Sequence, residues 1–256
     1  MDNVNYSSDH LKILEERNHL LVRQKLIESV EGKMVGVVDE FEEAFAILAK
    51  YPKTVSVFGS ARLGQDTNTC RQAFAVGWAL SKHGYAVVTG GGGGVMEAAN
   101  RGAIKAGGPS IGFNIHLPME QNLNEFTTDS YQFEHFFSRK VALTLDASGY
   151  VYCGGGFGTL DELFEIVTLV QTGIVPKVPI ILLGVDFWTP IIKSIESVLD
   201  HKYSTIDSDD TEIYTITDDI GHAIELIEKA TLESARDEMF KRAYRLKNRW
   251  IAEHRK

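Results

Sequence analysis

A glycine-rich turn between an apolar segment and an amphipathic one constrains the fold of this chain most. The apolar run Gly149 to Cys153 is typical of a short buried strand, and the glycine-rich run Gly154 to Gly158 follows it directly. Beyond the glycines, apolar residues recur at the spacing of a helix, namely Leu160, Leu163, Phe164 and Val167. The segment therefore predicts a strand, a tight turn and a helix N-terminus. Glycines let backbone N–H groups approach an anion closely, and the positive end of the helix dipole helps to hold it.

Two acidic residues, Asp161 and Glu162, follow this turn, and we expect both in the first turn of the helix. Their position has two interpretations. Carboxylates near a helix N-terminus stabilise the helix by themselves, because they oppose its dipole. Alternatively, a carboxylate within one turn of a phosphate cradle is suited to nucleotide chemistry, and we favour this second interpretation.

Strands and helices alternate along most of the chain. Predicted strands are Thr54–Phe58, Tyr85–Thr89, Ser110–Ile115, Gly149–Cys153, Pro179–Leu183 and, more weakly, Ile213–Ile216. Predicted helices are Leu11–Val30, Val38–Leu48, Cys70–His83, Val95–Ala106, Phe136–Ala147, the one after the glycine-rich turn, Phe187–Leu199, Asp218–Ala230 and Leu232 to the end. This alternation predicts an α/β fold, a doubly wound, Rossmann-like parallel sheet with helices on both faces, plus N- and C-terminal helical extensions.

The predicted elements divide the chain into three segments. Residues 1–50 form an N-terminal helical extension, 51–231 a Rossmann-like nucleotide-binding domain, and 232–256 a basic C-terminal helix. Within the domain, His116 to Ser130 is predicted to be a long irregular loop. Loops of that length are usually functional.

Charge and cysteine content exclude several classes of function. A formal net charge of -9 argues against a general nucleic-acid binder, whose affinity comes largely from cations set against phosphates. The two cysteines, Cys70 and Cys153, indicate neither a disulfide framework nor a zinc site. No apolar run approaches the roughly 18 residues of a membrane span, and we expect a cytoplasmic protein without membrane contact.

Three glycine-bearing loops follow predicted strands: Gly59 to Arg62, Gly90 to Gly94 and Gly154 to Thr159. Ligands of such sheets bind beyond the carboxyl ends of the strands, so we expect the three loops to meet at one edge of the sheet. Their spacing does not match the G-x-G-x-x-G fingerprint, which argues against a nicotinamide cofactor. A G-x-x-x-x-G-K-[ST] sequence is also missing, which excludes P-loop phosphoryl transfer.

The order of three motifs resembles that of the LONELY GUY (LOG) family. These motifs are Gly90–Ala103, the pair Arg139-Lys140, and Gly155–Glu162, and the similarity spans roughly Val55 to Ile224. The family pattern P-G-G-x-G-T-x-x-E has a proline where this chain has Gly154. A glycine at that position loosens the turn but removes no N–H donor, so we expect activity to survive the exchange.

The resemblance implies a nucleoside 5'-monophosphate phosphoribohydrolase that needs no cofactor and forms at least a homodimer. Such an enzyme hydrolyses the N-glycosidic bond of a cytokinin riboside 5'-monophosphate or an AMP-like nucleotide to the free base and ribose 5-phosphate. The family pattern implies that Glu162 is the essential carboxylate and Arg139 the essential cation. It also implies substrate contacts from Lys140, Gly155, Gly156, Phe157, Gly158, Thr159 and Thr168.

The roles of the two catalytic candidates follow from the chemistry of the bond. N-glycosidic hydrolysis passes through a sugar with oxocarbenium character. A neighbouring carboxylate can either stabilise the developing positive charge or orient the attacking water, and we expect Glu162 to be this carboxylate. Arg139 either grips the 5'-phosphate or holds Glu162 ionised and aligned, and the sequence does not separate these two roles.

Other polar residues near the glycine loops are candidates for substrate contacts. Glu97 and Glu120 are placed to contact ribose hydroxyls, with a helix-start acid and a solvated loop residue as the respective alternatives. Ser60 either binds phosphate or caps a helix. Asp161 and Glu165, four residues apart, indicate a salt-bridged helix surface rather than a metal site. The loop backbone supplies three further candidates: Gly59, Gly92 and Gly93.

Other functions compete with the hydrolase. One is a non-catalytic nucleotide or molybdenum-cofactor carrier of the same fold, although the pair Arg139 and Glu162 favours the enzyme. Another is nucleic-acid binding by Arg236 to Lys256, which holds eight Lys or Arg against three acidic residues, but we favour a solvated helix packed through its aromatic residues. Lysine decarboxylation, an older label of the family, needs a lysine in a glycine cradle to hold pyridoxal phosphate, and the sequence offers none.

Overall fold

In a computed structural model of the chain, residues 36–116, 122–145 and 147–232 are described. The chain forms two compact units, Met1–Glu43 and Ala44–Lys256. Residues 36–48 are helical and are called α1, and 36–43 of these belong to the first unit. The predicted helix Leu11–Val30 and the predicted basic C-terminal helix lie outside the described residues, and the division into three segments stays a prediction.

Seven parallel strands form one sheet in the described part of the second unit. Their order is β4-β3-β2-β1-β5-β6-β7. The strands are β1 Thr54–Phe58, β2 Ala86–Thr89, β3 Ser110–Ile115, β4 Asp129–Phe133, β5 Ala147–Tyr152, β6 Ile180–Leu183 and β7 Tyr214–Thr217. The predicted α/β fold with a parallel sheet is therefore confirmed.

Helices connect most of these strands. The connecting helices are α2 Asn68–Lys82, α3 Val95–Ala106, α4 Phe136–Thr144, α5 Phe157–Gln171 and α6 Val185–Glu196, and α7 Ile220–Leu232 follows the last strand. A π-helical turn, Ser197–Lys202, and a 3-10 helix, Ser208–Glu212, lie between α6 and β7. Within the described ranges, no helix is both long and apolar enough to cross a membrane.

Successive side chains of a strand point to opposite faces of the sheet, and those of β1, β2, β3, β5 and β6 are all buried, so both faces of the sheet are covered there. In β1, Val55 and Val57 pack in a cluster with α2, α3 and α7. Phe58 lies in a second cluster with residues 44–48 of α1 and with α4, α5 and α6. This division of the core places helices on both faces, as the doubly wound arrangement requires.

The edge strand β4 is the main difference from the prediction. The irregular stretch predicted up to Ser130 is wrong at its end, because β4 begins at Asp129. Only Phe133 of this strand is buried, so β4 lacks the apolar run that marks an inner strand. Its first residue is held by Lys50, whose Nζ lies 2.6 Å from Asp129 Oδ1, and by the Tyr51 hydroxyl, which donates a hydrogen bond to the other carboxylate oxygen.

Candidate active site

The sheet order brings the three glycine-bearing loops together, as the sequence predicted. Strands β2, β1 and β5 are neighbours, and each of the three loops follows one of them. The Ser60 N–H donates to the Gly154 carbonyl at 3.1 Å, and the Val95 N–H donates to the Ser60 carbonyl at 2.9 Å. A side chain at Gly59 would overlap Val95, which explains why the first loop needs a glycine.

The loops surround a cavity of about 630 Å³ at the carboxyl ends of the strands. Helix α4 closes one side of it and the start of α5 another. The lining residues are Val57, Phe58, Gly59, Ser60, Ala61, Arg62, Gly90, Met96, Phe136, Arg139, Leu143 and residues 156–162.

The N-terminus of α5 opens into this cavity without a side-chain cap. The helix begins at Phe157, its N-cap is Gly156, and its first intrahelical bond runs from the Leu160 N–H to the Gly156 carbonyl at 3.1 Å. The N–H groups of Phe157, Gly158 and Thr159 therefore precede the hydrogen-bonded part of the helix. Together with the helix dipole, they form a binding place for an anion.

The expectation that both acidic residues lie in the first turn of α5 is wrong. The helix begins at Phe157, earlier than the apolar spacing indicated, so Asp161 and Glu162 lie in its second turn and the first turn holds no acid. Asp161 is exposed, whereas only 8% of Glu162 is accessible. Helix stabilisation does not explain Glu162, because burial of a carboxylate costs free energy.

Glu162 is a buried carboxylic acid facing the cavity. Its Oε2 atom has no hydrogen-bond partner within the described ranges. Burial raises the pKa of Glu162 from its ordinary 4.5 to about 7, although the positive charges of Arg139 and Lys140 oppose this rise. The nearby carboxylates of Glu165 and Asp161 raise it further. Glu162 can therefore exchange a proton near neutral pH.

Arg139 lines the same cavity and is held in place from two sides. Its Nε donates to the Phe113 carbonyl of β3 at 2.7 Å. Its guanidinium lies against Gly90, where any side chain would overlap it. Burial lowers the pKa of Arg139 from its ordinary value, and the negative charge of Glu162 offsets only part of this change. The structure thus brings together the two residues that the resemblance singled out.

Lys140, the next residue of α4, points elsewhere. Its Nζ lies 3.0 Å from carboxylate oxygens of both Asp161 and Glu165. Burial lowers the pKa of Lys140, but the hydrogen bonds to these carboxylates outweigh that effect and the pKa is raised. The interpretation of Asp161 and Glu165 as a salt-bridged surface is confirmed. With Thr168, Lys140 lines a neighbouring open cavity of about 600 Å³ rather than the one beside Glu162.

The other predicted contacts lie at different distances from the cavity. Ser60 lines it, and its Oγ accepts a hydrogen bond from the Arg62 N–H at 3.1 Å, while Thr67 is the cap of α2. Glu97 lies in the first turn of α3, the position of a helix-start acid. Glu120 lies outside the described residues. Three predicted glycines are not among the residues that line the cavity: Gly92, Gly93 and Gly155.

Among the lining side chains that were not predicted as substrate contacts, two offer a charge or an aromatic surface. Arg62 is exposed and adds a second cation to the lining. Phe136, which is 56% exposed, adds an aromatic surface. Arg62 ends the first predicted glycine-bearing loop and Phe136 begins a predicted helix, but an arginine or a phenylalanine at such a position carries no pattern that separates it from an ordinary surface residue.

A family model described as "possible lysine decarboxylase" matches residues 96–227, just over half of the chain. An uncharacterised protein of Archaeoglobus fulgidus is 32% identical over 99 residues, which are 38% of this chain and 64% of that relative, less than two thirds of its length. A probable cytokinin riboside 5'-monophosphate phosphoribohydrolase, LOG4 of Oryza sativa subsp. japonica, is 27% identical over 187 residues, 72% of this chain and 78% of that relative.

Among solved structures, the molybdenum cofactor carrier protein of Chlamydomonas reinhardtii is similar with a TM-score of 0.53. The alignment covers 71% of this chain and 99% of the carrier, at 23% sequence identity. This likeness concerns the fold alone.

Proposed function

We propose that this chain, which belongs to the LOG family described as possible lysine decarboxylases, hydrolyses the N-glycosidic bond of a nucleoside 5'-monophosphate. The products are the free base and ribose 5-phosphate. The observation that carries the proposal is one cavity lined by a buried carboxylic acid, Glu162, by the guanidinium of Arg139 and by the uncapped N-terminus of α5. The name of the rice relative supports the same reaction.

Substrate binding begins with the phosphate. The N–H groups at the start of α5 donate hydrogen bonds to the 5'-phosphate, and the exposed Arg62 of the first glycine-bearing loop adds a further positive charge. An exposed aromatic side chain, Phe157, starts the helix beside this site and offers a stacking surface for the base. Binding the phosphate at the helix end directs the ribose toward the second turn, where Glu162 lies.

Glu162 carries the chemical step. Its ionised carboxylate stabilises the positive charge that develops on the sugar and takes a proton from the attacking water. The bond between the anomeric carbon and the base nitrogen breaks, the water oxygen bonds to that carbon, and the proton ends on the released base. A pKa of about 7 suits a group that takes up and returns a proton near neutral pH.

Arg139 acts on the carboxylate of Glu162 in this mechanism. Its charge lowers the pKa of Glu162 and therefore favours the ionised form that the reaction needs. Because Nε is bound to the Phe113 carbonyl and the guanidinium lies on Gly90, the cation is fixed rather than mobile. A fixed cation acts on the charge of the carboxylate from a constant position.

The family description as a decarboxylase fits these residues poorly. Decarboxylation on pyridoxal phosphate needs a lysine that forms a Schiff base at the site. The residues that line the cavity within the described ranges include no lysine, and Lys140 is paired with Asp161 and Glu165 beside a different cavity.

The test is to incubate the purified chain with AMP and with a cytokinin riboside 5'-monophosphate, and to measure free base and ribose 5-phosphate by chromatography. We expect Glu162→Gln and Arg139→Ala to lower kcat/KM by at least about 100-fold while the proteins stay folded. For the parental protein, we expect kcat/KM to fall as the pH drops below about 7, because Glu162 becomes protonated.

The matched control is Glu225→Gln, an exposed glutamate of α7 that should leave turnover unchanged. Parental rates in Glu162→Gln would contradict the assigned role. Nucleotide binding without release of base, in the parental protein, would instead support a carrier of the same fold.

A further inference from the structure

A buried network of amide and hydroxyl groups lies behind the second glycine loop. Its centre is Asn100 of α3, a fully buried side chain. The Asn100 Oδ1 accepts hydrogen bonds from the Thr89 hydroxyl at 2.6 Å and from the Asn124 side-chain amide at 3.0 Å. Its Nδ2 donates to the Ser110 Oγ at 2.7 Å. One side chain therefore joins the end of β2, the start of β3 and the segment that contains Asn124.

Asn124 fastens that segment to the glycine loop. Its backbone N–H donates to the Gly91 carbonyl at 2.8 Å, and its Nδ2 donates to the Gly92 carbonyl at 3.0 Å. Its Oδ1 accepts from the Phe126 N–H at 3.0 Å, so every polar group of the side chain is used. Beside it, Leu123 packs so closely on Gly91 that a Cβ there would lie 2.8 Å from Leu123 Cδ1.

The same loop forms the support of the Arg139 guanidinium. Gly91 is tied at both of its backbone polar groups, since its N–H also donates to the Thr89 hydroxyl oxygen at 2.9 Å. Gly90 lies between Thr89 and Gly91, which are both held by hydrogen bonds, and the Arg139 guanidinium lies against Gly90. A displacement of the loop would therefore move the surface on which Arg139 lies, while its Nε bond to the Phe113 carbonyl would remain.

We propose that Asn124 is a positioning residue of the active site, which fixes the second glycine loop where Gly90 supports Arg139 next to Glu162. The catalytic consequence rests on the function proposed above, whereas the positioning itself does not. Asn124 is not among the residues that line the cavity, and its hydrogen bonds go to Gly91, Gly92, Asn100 and Phe126, so its effect passes through the loop.

The charge on Glu162 reports the position of Arg139. Four charged groups shift the pKa of Glu162: Arg139 and Lys140 of α4, and Asp161 and Glu165 of α5. From β5, the Tyr152 hydroxyl donates to the Glu162 backbone carbonyl at 3.0 Å, and Arg62 lies across the cavity. Of these groups, Arg139 is the one that rests on the second glycine loop. A guanidinium that moves away from Glu162 lowers its pKa less, so the pKa rises.

The experiment compares Asn124→Ala with the parental protein by titrating the 13C-labelled carboxyl of Glu162 by NMR without nucleotide. We expect the midpoint of the Glu162 titration to move to higher pH in Asn124→Ala. With AMP as substrate, we expect kcat to fall by about 10- to 100-fold and KM to change much less. The control is Gln72→Ala, which removes another inter-element amide hydrogen bond, to Asp218 at 3.0 Å, on the exposed surface.

If Asn124→Ala fails to fold, Thr89→Val takes its place, because it keeps the side-chain shape and removes the acceptor of the Gly91 N–H. A folded variant with an unchanged Glu162 titration would overturn the proposal, whatever its activity. A shifted titration with parental kcat would overturn the catalytic consequence. A parental protein that hydrolyses no nucleotide contradicts the proposed function instead, and the titration still tests the positioning.

Discussion

At the scale of single residues, burial of Glu162 changes both its pKa and its effect on stability. Its carboxyl is buried beside two cations, yet burial prevails and its pKa is about 7 rather than 4.5. An exposed glutamate would be ionised throughout the physiological range and would be a weaker base. The same burial that suits the residue to proton transfer therefore disfavours the folded state whenever the residue is ionised.

We predict that Glu162→Gln stabilises the protein in a pH-dependent way. Below pH 4.5 the carboxyl is protonated in the folded and unfolded states, so the exchange changes little. Above pH 7 the folded state must carry a buried charge that the unfolded state carries in water, which costs about 3 kcal/mol for a shift from 4.5 to about 7. Urea unfolding at pH 4 and pH 8 should show the gain only at pH 8.

The control for this prediction is again Glu225→Gln, which removes a carboxylate from an exposed position. Its effect on the free energy of unfolding should be small at both pH values. An equal gain for Glu162→Gln at pH 4 and pH 8 would show that packing, rather than ionisation, causes the difference.

At the scale of elements, the turn before α5 shows why a family pattern is not sufficient. Where that pattern has a proline, this chain has Gly154, and the ring of Phe187 from α6 packs against it. A Cβ at Gly154 would lie 3.3 Å from both Cγ and Cδ2 of Phe187, which is tighter than ordinary contact. Phe187 therefore occupies space that a proline ring would need.

We predict that Gly154→Pro alone destabilises the protein by about 1–3 kcal/mol through overpacking against Phe187. In a Phe187→Ala background the same exchange should cost clearly less, because the space is free. Thermal unfolding of the two single variants and the double variant gives the coupling as a double-mutant cycle. If the changes in stability of the two single variants simply add up in the double variant, Phe187 does not occupy the space that a proline ring at position 154 would need.

Strand β4 illustrates what local sequence cannot report. An edge strand has one neighbour, and β4 is short and largely polar: Tyr131 and Phe133 pack on the core, while Ser130 and Gln132 are exposed. Two core-facing residues are too few to mark a strand in the sequence. The place of β4 is fixed instead by parallel pairing with β3 and by the contacts of Lys50 and Tyr51 with Asp129. Sequence reading therefore assigned this segment partly to a loop.

At the scale of the whole molecule, helices α4 and α5 leave large aromatic side chains in solvent. Exposed fractions are 56% for Phe136, 52% for Phe137, 93% for Phe157 and 37% for Phe164. Apolar surface concentrated in this way is typical of an interaction site. It adds a structural reason to the homodimer that the family resemblance implies.

We predict that the protein is a dimer in solution and that Phe137→Glu weakens it. Phe137 does not line the cavity, so the exchange tests association without removing a substrate contact. Light scattering across a dilution series should show twice the mass of one chain for the parental protein and a shift toward one chain for the variant. Tyr203→Glu, which changes an exposed aromatic residue after the π-helical turn, is the matched control.

A monomeric parental protein would contradict the dimer prediction. If both Phe137→Glu and Tyr203→Glu leave the dimer intact, the dimer prediction holds but the interface does not include Phe137. Loss of association in both variants would indicate that exposed apolar surface in general, rather than α4, holds the copies together.

The sequence by itself determined the elements that depend on interactions between residues close in the chain. Apolar runs bounded by glycine or proline marked five of the seven strands, a weaker apolar run after an acidic stretch marked β7, and the strand–glycine–helix succession marked the three glycine-bearing loops. Motif order was enough to name Arg139 and Glu162 together. These features are readable because backbone preferences and side-chain periodicity act between residues that are close in the chain.

Tertiary structure alone decided the features that depend on residues distant in the chain. Three of these features depend on contacts between separate elements. Glu162 is buried, and Arg139 is held by Gly90 and Phe113. Lys140 forms ion pairs with Asp161 and Glu165. Burial and charge proximity set the pKa of a group, and both are properties of the space around it rather than of its neighbours in sequence. The strand order, which places β2, β1 and β5 side by side, is what turns three separate loops into one cavity.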